Sequence, residues 1–258
     1  MYCHQFYTVA QSIVPKKYNC YRVRDKVKID GKLDEKSWEK AEWTDYFVDI
    51  EGDKQAKPIQ STRAKMLWDD EYLYIAALLE EEHIWAYQSV KDQIVFHEND
   101  FEVFIDPDGD TNNYFELEIN AINNTFDLFI PTPYRHGGQP DHDWNVEGLK
   151  SAISIDGTLN DASDKDKHWI VELAIPFKAL KYDDLLTPVP REGTEWRLNF
   201  SRVNWKTEIV EGKYQRKKDP DTGKLLPEYN WVWSPQGIID MHWPEYWGYL
   251  IFKGSKVK

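Results

Sequence analysis

Three stretches of the chain alternate polar and apolar residues with a period of two. Asp100, Glu102 and Phe104 alternate with Phe101, Val103 and Ile105. Glu116, Glu118 and Asn120 alternate with Phe115, Leu117, Ile119 and Ala121, and Arg197, Asn199 and Ser201 alternate with Trp196, Leu198 and Phe200. In a strand this period sends successive side chains to opposite faces. If the three strands are neighbours, one sheet face gathers carboxylates, an amide and a guanidinium while the other is apolar. Such a face either meets water or clasps a hydroxylated ligand. Glu102 and Glu118 could also serve as acid and nucleophile on a glycosidic bond, chemistry that needs two carboxyls about 5–5.5 or 6.5–9.5 Å apart.

The rings for such a ligand are plentiful: 12 Trp, 15 Tyr and 11 Phe make up 15% of the chain. Trp231 and Trp233 are two positions apart and project to one side of an extended segment. Pro235 and Pro244 interrupt regular pairing and leave residues 234–244 as a loop ending beside Trp243. Core packing accounts for many of these aromatics, but a loop tryptophan is costly to expose unless something stacks on it. A sugar ring does so, since its axial C–H face is apolar and its hydroxyls need carboxylate, amide and guanidinium partners. On this reading Trp231, Trp233 and Trp243 supply affinity, and Trp243→Ala should cost affinity with little loss of stability. Arg202 would join Glu102 and Glu118 in orienting the ligand only if a bulge interrupted the alternation running from Arg197.

The run Asp106-Pro107-Asp108-Gly109-Asp110-Thr111-Asn112 offers the clustered hard oxygens that calcium prefers, with Asp106, Asp108 and Asp110 as ligands. It departs from the EF-hand pattern, and the same run also reads as an Asp/Gly turn. No His-Glu-x-x-His pair, glycine-rich phosphate loop or Gly-x-Ser-x-Gly elbow occurs, so catalytic zinc, nucleotide and serine-hydrolase chemistry have no support. Met241 and His242 are adjacent, and their side chains diverge in an extended loop, so they cannot be the two axial ligands of one haem. His136 and His142 read as exposed loop residues. Cys3 and Cys20 lack the spacing of a zinc site, and their pairing stays open.

The elements that must position these groups are mostly strands. The 258 residues, 41% of them hydrophobic, suit a globular domain, and 45 acids against 32 bases give a net charge of −13. That field disfavours nucleic acid as a partner. The longest apolar run, Tyr72 to Leu79, is too short to span a membrane. Met1 to Val14 lacks the basic start and apolar stretch of a signal peptide.

Residues 1–26 read as a polar lead-in and 27–258 as the domain. Within it, Val27 to Gly31 reads as a short strand and Glu35 to Ala41 as a helix behind an Asp34 cap. Further strands are expected at 62–68, 72–79, 101–106, 114–121, 126–130, 151–155, 168–174, 196–203 and 247–252. Two long polar loops, 131–148 and 206–228, interrupt them, and the Arg216-Lys217-Lys218 cluster in the second is a solvated loop. Many short strands, one or two short helices and long loops predict an all-β, antiparallel β-sandwich.

The run Ile29-Asp30-Gly31-Lys32-Leu33-Asp34-Glu35 with Trp38 resembles the opening of the family 9 carbohydrate-binding modules, within the DOMON-like sandwiches. The resemblance continues through 67–74, Phe101 to Asp106, Trp169 to Pro176 and Pro244-Glu245-Tyr246-Trp247-Gly248. It implies a non-catalytic domain that binds an oligo- or polysaccharide, often at a chain end, between two aromatic rings. It also implies structural calcium, a carbohydrate-degrading enzyme as partner, a role in polysaccharide breakdown and a location outside the cytoplasm; no other cofactor is required. By position, Glu102 matches the carboxylate that contacts sugar hydroxyls, and Phe96 lies near one stacking ring. The other ring corresponds to Trp231, Trp233 or Trp243. Glu118 falls where better-known modules carry an arginine.

Overall fold

Period-two patterning becomes sixteen strands in the computed structural model, which describes residues 13–183 and 185–255. They are β1 (Lys17–Arg22), β2 (Val48–Asp49), β3 (Thr62–Trp68), β4 (Tyr72–Glu80), β5 (Asp100–Asp106), β6 (Tyr114–Asn120), β7 (Thr125–Ile130) and β8 (Lys150–Asp156). The remainder are β9 (His168–Pro176), β10 (Lys181–Tyr182), β11 (Leu185–Leu186), β12 (Glu195–Asn204), β13 (Thr207–Val210), β14 (Lys213–Arg216), β15 (Tyr229–Val232) and β16 (Gly248–Lys253). Among the described residues one α-helix occurs, α1 (Lys36–Lys40). No helix there is long and apolar enough to cross a membrane.

Twelve strands form one sheet in the order β7-β6-β5-β12-β16-β1-β3-β4-β9-β8, with β15 beside β12 and β2 beside β15. The sheet curls so that β3, β4 and β9 face β5, β6 and β12 across a single apolar core. Met66, Leu73, Ile75 and Val171 meet Val103, Leu117 and Phe200 there. This is the expected sandwich, except that the sheet is mixed: β1 runs parallel to both β16 and β3.

Residues 17–22 are therefore a strand within the sheet rather than part of a polar lead-in. Tyr18 and Cys20 turn into the core while their neighbours remain polar, a pattern too brief to read as a strand. Cys20 is a buried thiol, and Cys3 lies outside the described residues. The expected strand at 27–31 is not one. The expected helix is shorter, with Glu35 rather than Asp34 at its N-cap and no side-chain cap bond. The loop 206–228 contains the β13–β14 hairpin.

The motif around Trp38 has a physical cause. Glu172 on β9 is fully buried; one carboxylate oxygen accepts the Trp38 indole N–H at 2.9 Å, and the other accepts the backbone N–H groups of Asp30 and Gly31, each at 2.9 Å. One carboxylate thus ties the entry turn and α1 to the sheet. Gly31 has φ +80, and a Cβ there would press on the Ile153 and Ser154 backbone at 3.1 Å. At the other end of the chain a Cβ on Gly248 would strike the Trp233 ring at 2.4 Å, which explains the Trp-Gly pair at the start of β16.

Arg202 holds to strict alternation, so no bulge turns it toward the polar face. It is buried, donates to Glu81 at 2.7 Å, to Thr62 at 2.9 Å and to Gln60 at 3.1 Å, and its guanidinium lies 5.1 Å from the centre of the Trp231 ring. Its role is to neutralise a buried acid, which corrects its assignment to ligand binding.

Two stability predictions follow from these clasps. Glu172→Ala leaves two buried donors and one part-buried donor unpaired and should cost about 3 kcal/mol, with Glu172→Gln in between. Arg202→Leu strands the Glu81 charge and should cost about 3–5 kcal/mol. Urea denaturation measures both, and a loss within experimental error for either variant would remove the corresponding clasp from the account.

Candidate functional site

The alternating strands do become neighbours. β5 lies between β6 and β12, and cross-strand register sets Glu102 opposite Glu118 on one side and Ser201 on the other. Phe104 stands opposite Glu116 and Asp100 opposite Asn120. Opposed residues share a face, so Asp100, Glu102, Glu116 and Glu118 form one acidic surface, backed by the apolar core on the far side of the sheet. The surface is not solvated as an outer face would be, because loops cover it and all four carboxylates are buried.

That burial dominates the electrostatics. Desolvation pushes Glu102 up to about 7 and Asp100, Glu116 and Glu118 well above the ordinary carboxylate range; repulsion from neighbouring floor acids adds to the rise of the latter three, and the Glu228 charge to that of Glu102. Asp100 accepts the Val203 N–H at 3.3 Å and Glu118 accepts the Phe96 N–H at 2.9 Å. Among the described residues no lysine or arginine forms an ion pair with any of the four.

Above this floor opens a cavity of about 390 Å³. Its floor shows Glu102, Glu116 and Glu118. Its walls are apolar: Phe104, Phe126 and Leu128 from the sheet, with Ile50, Val203, Ile239 and Met241 around them. Ile94, Phe96, Tyr134, His142, His242, Glu228, Asn230 and Asp240 complete the lining. No lysine or arginine is among these residues.

Each rim group is held by its own local structure. The backbone of Phe96 is fixed twice, through its N–H to Glu118 and through its carbonyl, which accepts the Trp205 indole N–H at 2.8 Å. The loop 131–148 pairs back on the edge of β7 through Phe129 and Asp141 and brings Tyr134 and His142 over the cavity. His242 packs edge-on to Tyr134 with ring centres 4.3 Å apart, and its Nδ1 is hydrogen-bonded to the Tyr114 hydroxyl at 3.1 Å. Burial, reinforced by the Arg135 charge, lowers His242 to about 4, so at neutral pH it is uncharged beside Glu116. Phe96 and Tyr134 are the open rings, 37% and 40% exposed.

Among the residues expected from sequence, Phe96, Glu102 and Glu118 come together in this cavity. Trp231 and Trp233 do not: they are 2% and 1% exposed and belong to the main core. Trp231 stacks on Tyr229 at 5.3 Å, and Trp233 packs on Phe200 and Gly248. Both lie on the β15 side that faces inward, where a ligand cannot reach. Trp243 is partly exposed but absent from the lining, and one face of its ring carries the Arg135 guanidinium at 4.7 Å. Tyr134 fills the place expected of a loop tryptophan. Its only signal in the sequence was its position in a long loop.

The turn Asp106 to Asn112 accounts for itself by hydrogen bonds. Asp106 accepts the N–H groups of Gly109 at 2.9 Å and Thr111 at 3.0 Å, and Asp110 accepts that of Asn112 at 2.7 Å. Burial first of all pushes Asp106 up to about 7. Ligand atoms of Asp106, Asp108 and Asp110 also lie within 4.8 Å of one another, and a hard cation suits this all-oxygen set.

Residues 29–190 match the family described as carbohydrate family 9 binding domain-like. Over 153 residues, 59% of this chain, the sequence is 29% identical to exoglucanase XynX of Acetivibrio thermocellus and 30% identical to endo-1,4-beta-xylanase A of Thermoanaerobacterium saccharolyticum. The chain spans only 12% and 11% of the length of these relatives.

Among solved structures, a putative carbohydrate-binding protein from Bacteroides uniformis superposes with a TM-score of 0.64 at 16% identity, covering 93% of this chain and 100% of that one. A family 9 carbohydrate-binding module from Caldicellulosiruptor kristjanssonii in complex with cellotriose gives 0.58 at 15% identity, covering 94% and 96%. A family 9 carbohydrate-binding module from the same organism in complex with glucose gives 0.56 at 14%, covering 93% and 98%. At such identities the structures establish the sandwich fold, whereas the sequence match takes in both carboxylate-bearing strands β5 and β6 and the Glu172 clasp. The chain belongs to the carbohydrate family 9 binding domain-like family.

Proposed function

We propose that this chain binds carbohydrate without catalysing its breakdown, seating a saccharide in the cavity with its ring faces on Phe96 and Tyr134 and its hydroxyls on Glu102, Glu116 and Glu118. The observation that carries this reading is the cavity itself: an acidic floor under aromatic and aliphatic walls, in a family whose solved members hold cellotriose and glucose. Its volume falls within the roughly 300–1,000 Å³ of small-molecule sites and suits a chain end better than a length of polymer. Relatives named as an exoglucanase and xylanases support a role beside polysaccharide-degrading enzymes. A polymer of that kind does not cross a membrane, which supports a site of action outside the cytoplasm. Structural calcium at Asp106, Asp108 and Asp110 belongs to the same proposal, and chelation should then loosen that turn.

A hydrolase reading fits the geometry less well. Glu102 and Glu118 stand side by side on one sheet face and reach a ligand from the same direction. A glycosidase pair flanks the scissile bond.

Calorimetric titration with xylo-, cello-, manno- and pectic oligosaccharides, each with a free and a chemically reduced end, tests the proposal. Binding lost on reduction supports capture of a chain end, and silence across the panel overturns carbohydrate binding. Turnover of aryl glycosides or oligosaccharides would overturn the non-catalytic reading.

Phe96→Ala and Tyr134→Ala should each weaken binding about tenfold or more, the value of roughly 1.4 kcal/mol of lost ring contact. Trp243→Ala should change it less, and equal losses from all three would return Trp243 to the site.

The buried acids also set a pH dependence. Their folded pKa values lie above those of the unfolded chain, so their stabilising contribution is complete below about pH 4 and is lost as pH rises through the folded values, about 7 for Glu102. His242 works in the opposite direction, but only below its ordinary value near 6.5. In chelator the unfolding midpoint should therefore fall between about pH 6.5 and pH 8, and Glu118→Gln should flatten that fall. A midpoint that stays level or rises over this interval would contradict the assigned burial.

A further inference from the structure

We propose that Asp100, Glu102 and Glu118 hold a divalent cation in the floor of the cavity, a hard ion such as calcium or manganese, with its remaining positions open to the hydroxyls of the ligand. Nothing in the family match or in the turn at Asp106 assigns an ion here.

The first argument is geometric. One ligand atom from each of the three side chains lies within 4.8 Å of the others. Two oxygens bound to the same calcium at about 2.4 Å can be no further apart than about 4.8 Å, and every pair among the three side chains meets that bound. Glu102 and Glu118 are opposed on β5 and β6 and Asp100 lies two positions along β5 on the same face, in a ladder that holds the strands together. An all-carboxylate set selects calcium, magnesium or manganese over softer metals.

The second argument is what the floor lacks. Asp100 Oδ2 and Glu116 Oε2 are buried without any hydrogen-bond partner, and Asp100 is completely enclosed. Other buried acids in this protein are each provided with donors. Glu172 accepts three N–H groups, and Glu81 holds Arg202. Asp127 has Lys91 at 2.9 Å and the Val146 N–H at 2.6 Å, and Asp166 accepts two backbone N–H groups at 2.6 and 2.7 Å. Among the described residues the floor alone concentrates carboxylates with orphaned oxygens and no basic side chain, an arrangement costly to leave without positive charge.

Glu102 and Glu118 line the cavity while Asp100 lies out of its reach. An ion among them is held by enclosed Asp100 on one side and open to the cavity on the other. Three carboxylates leave several of the six to eight positions of calcium free. Completion of the shell by vicinal hydroxyls rests on the carbohydrate reading; the ion site does not.

The test uses the full chain, stripped with chelator, at pH 7.5 and without sugar. Calcium, manganese or magnesium at a hundredfold excess over its Kd should raise the unfolding midpoint by about 5 °C or more. Manganese EPR should count an ion that survives Asp108→Asn/Asp110→Asn, the double variant that disables the turn. Glu102→Gln and Asp100→Asn should abolish that ion and the midpoint shift that goes with it.

No shift and no bound manganese with any of the three metals overturns the proposal. So does a signal that survives in Glu102→Gln and disappears in the turn variant. If the floor variants do not fold, the manganese count in the turn variant decides alone. Saccharide titration is then repeated with and without saturating ion. Equal affinity in both overturns the part played by the hydroxyls, whereas metal binding without sugar binding overturns the carbohydrate reading and leaves the ion site standing.

Discussion

A sheet covered on both faces must give every polar side chain a partner, and β5, β6 and β12 are covered on both. One face carries the apolar core, which the alternation of Phe101, Val103 and Ile105 makes inevitable. The other face carries acids, and loops shut it away from water. Where the fold buries a carboxylate for its own stability it provides donors, as the Glu172 clasp and the Arg202–Glu81 pair show. On the floor of the cavity it leaves Asp100 Oδ2 and Glu116 Oε2 without one, and that shortfall is what separates a site from a structural feature. Departures from local satisfaction concentrate where function is held.

The covering loops are themselves organised by the acids they cover. Glu118 receives the Phe96 N–H, so a floor group also positions a rim ring. Trp205 grips the carbonyl of the same residue, and the pairing of residues 129 and 141 brings the other open ring, Tyr134, into place. The two rings therefore belong to backbone held at several points, which reduces the ordering cost of stacking a ligand. His242, neutral and edge-on to Tyr134, adds a wall without adding charge to a cavity that has only negative charge.

The aromatic residues show how differently a single sequence signal can resolve. Trp231, Trp233 and Trp243 share one aromatic-rich stretch, and a short extended segment followed by two prolines is compatible with stacking platforms or with core. Pairing of β15 with β12 sends Trp231 and Trp233 inward, and the flat approach of Gly248 leaves Trp233 no other place. Arg202 illustrates the converse. Alternation alone pointed it away from the polar face, and the structure supplies the reason in Glu81, which lies 121 positions distant in sequence.

By itself the sequence determined the strand pattern, the segregation of acids and apolar groups onto opposite faces, the clustering of oxygens at Asp106, Asp108 and Asp110, and the family motifs. All of these depend on residues near one another along the chain, where a period of two or a turn signal is enough. Only the tertiary structure decided that β1 enters the sheet, that the acidic face is roofed rather than solvated, and that Phe96 and Tyr134 are the open rings. The difference is physical. Which face of a strand is apolar follows from local spacing, but what covers the opposite face depends on loops from distant segments, and only their closure turns an acidic surface into a cavity.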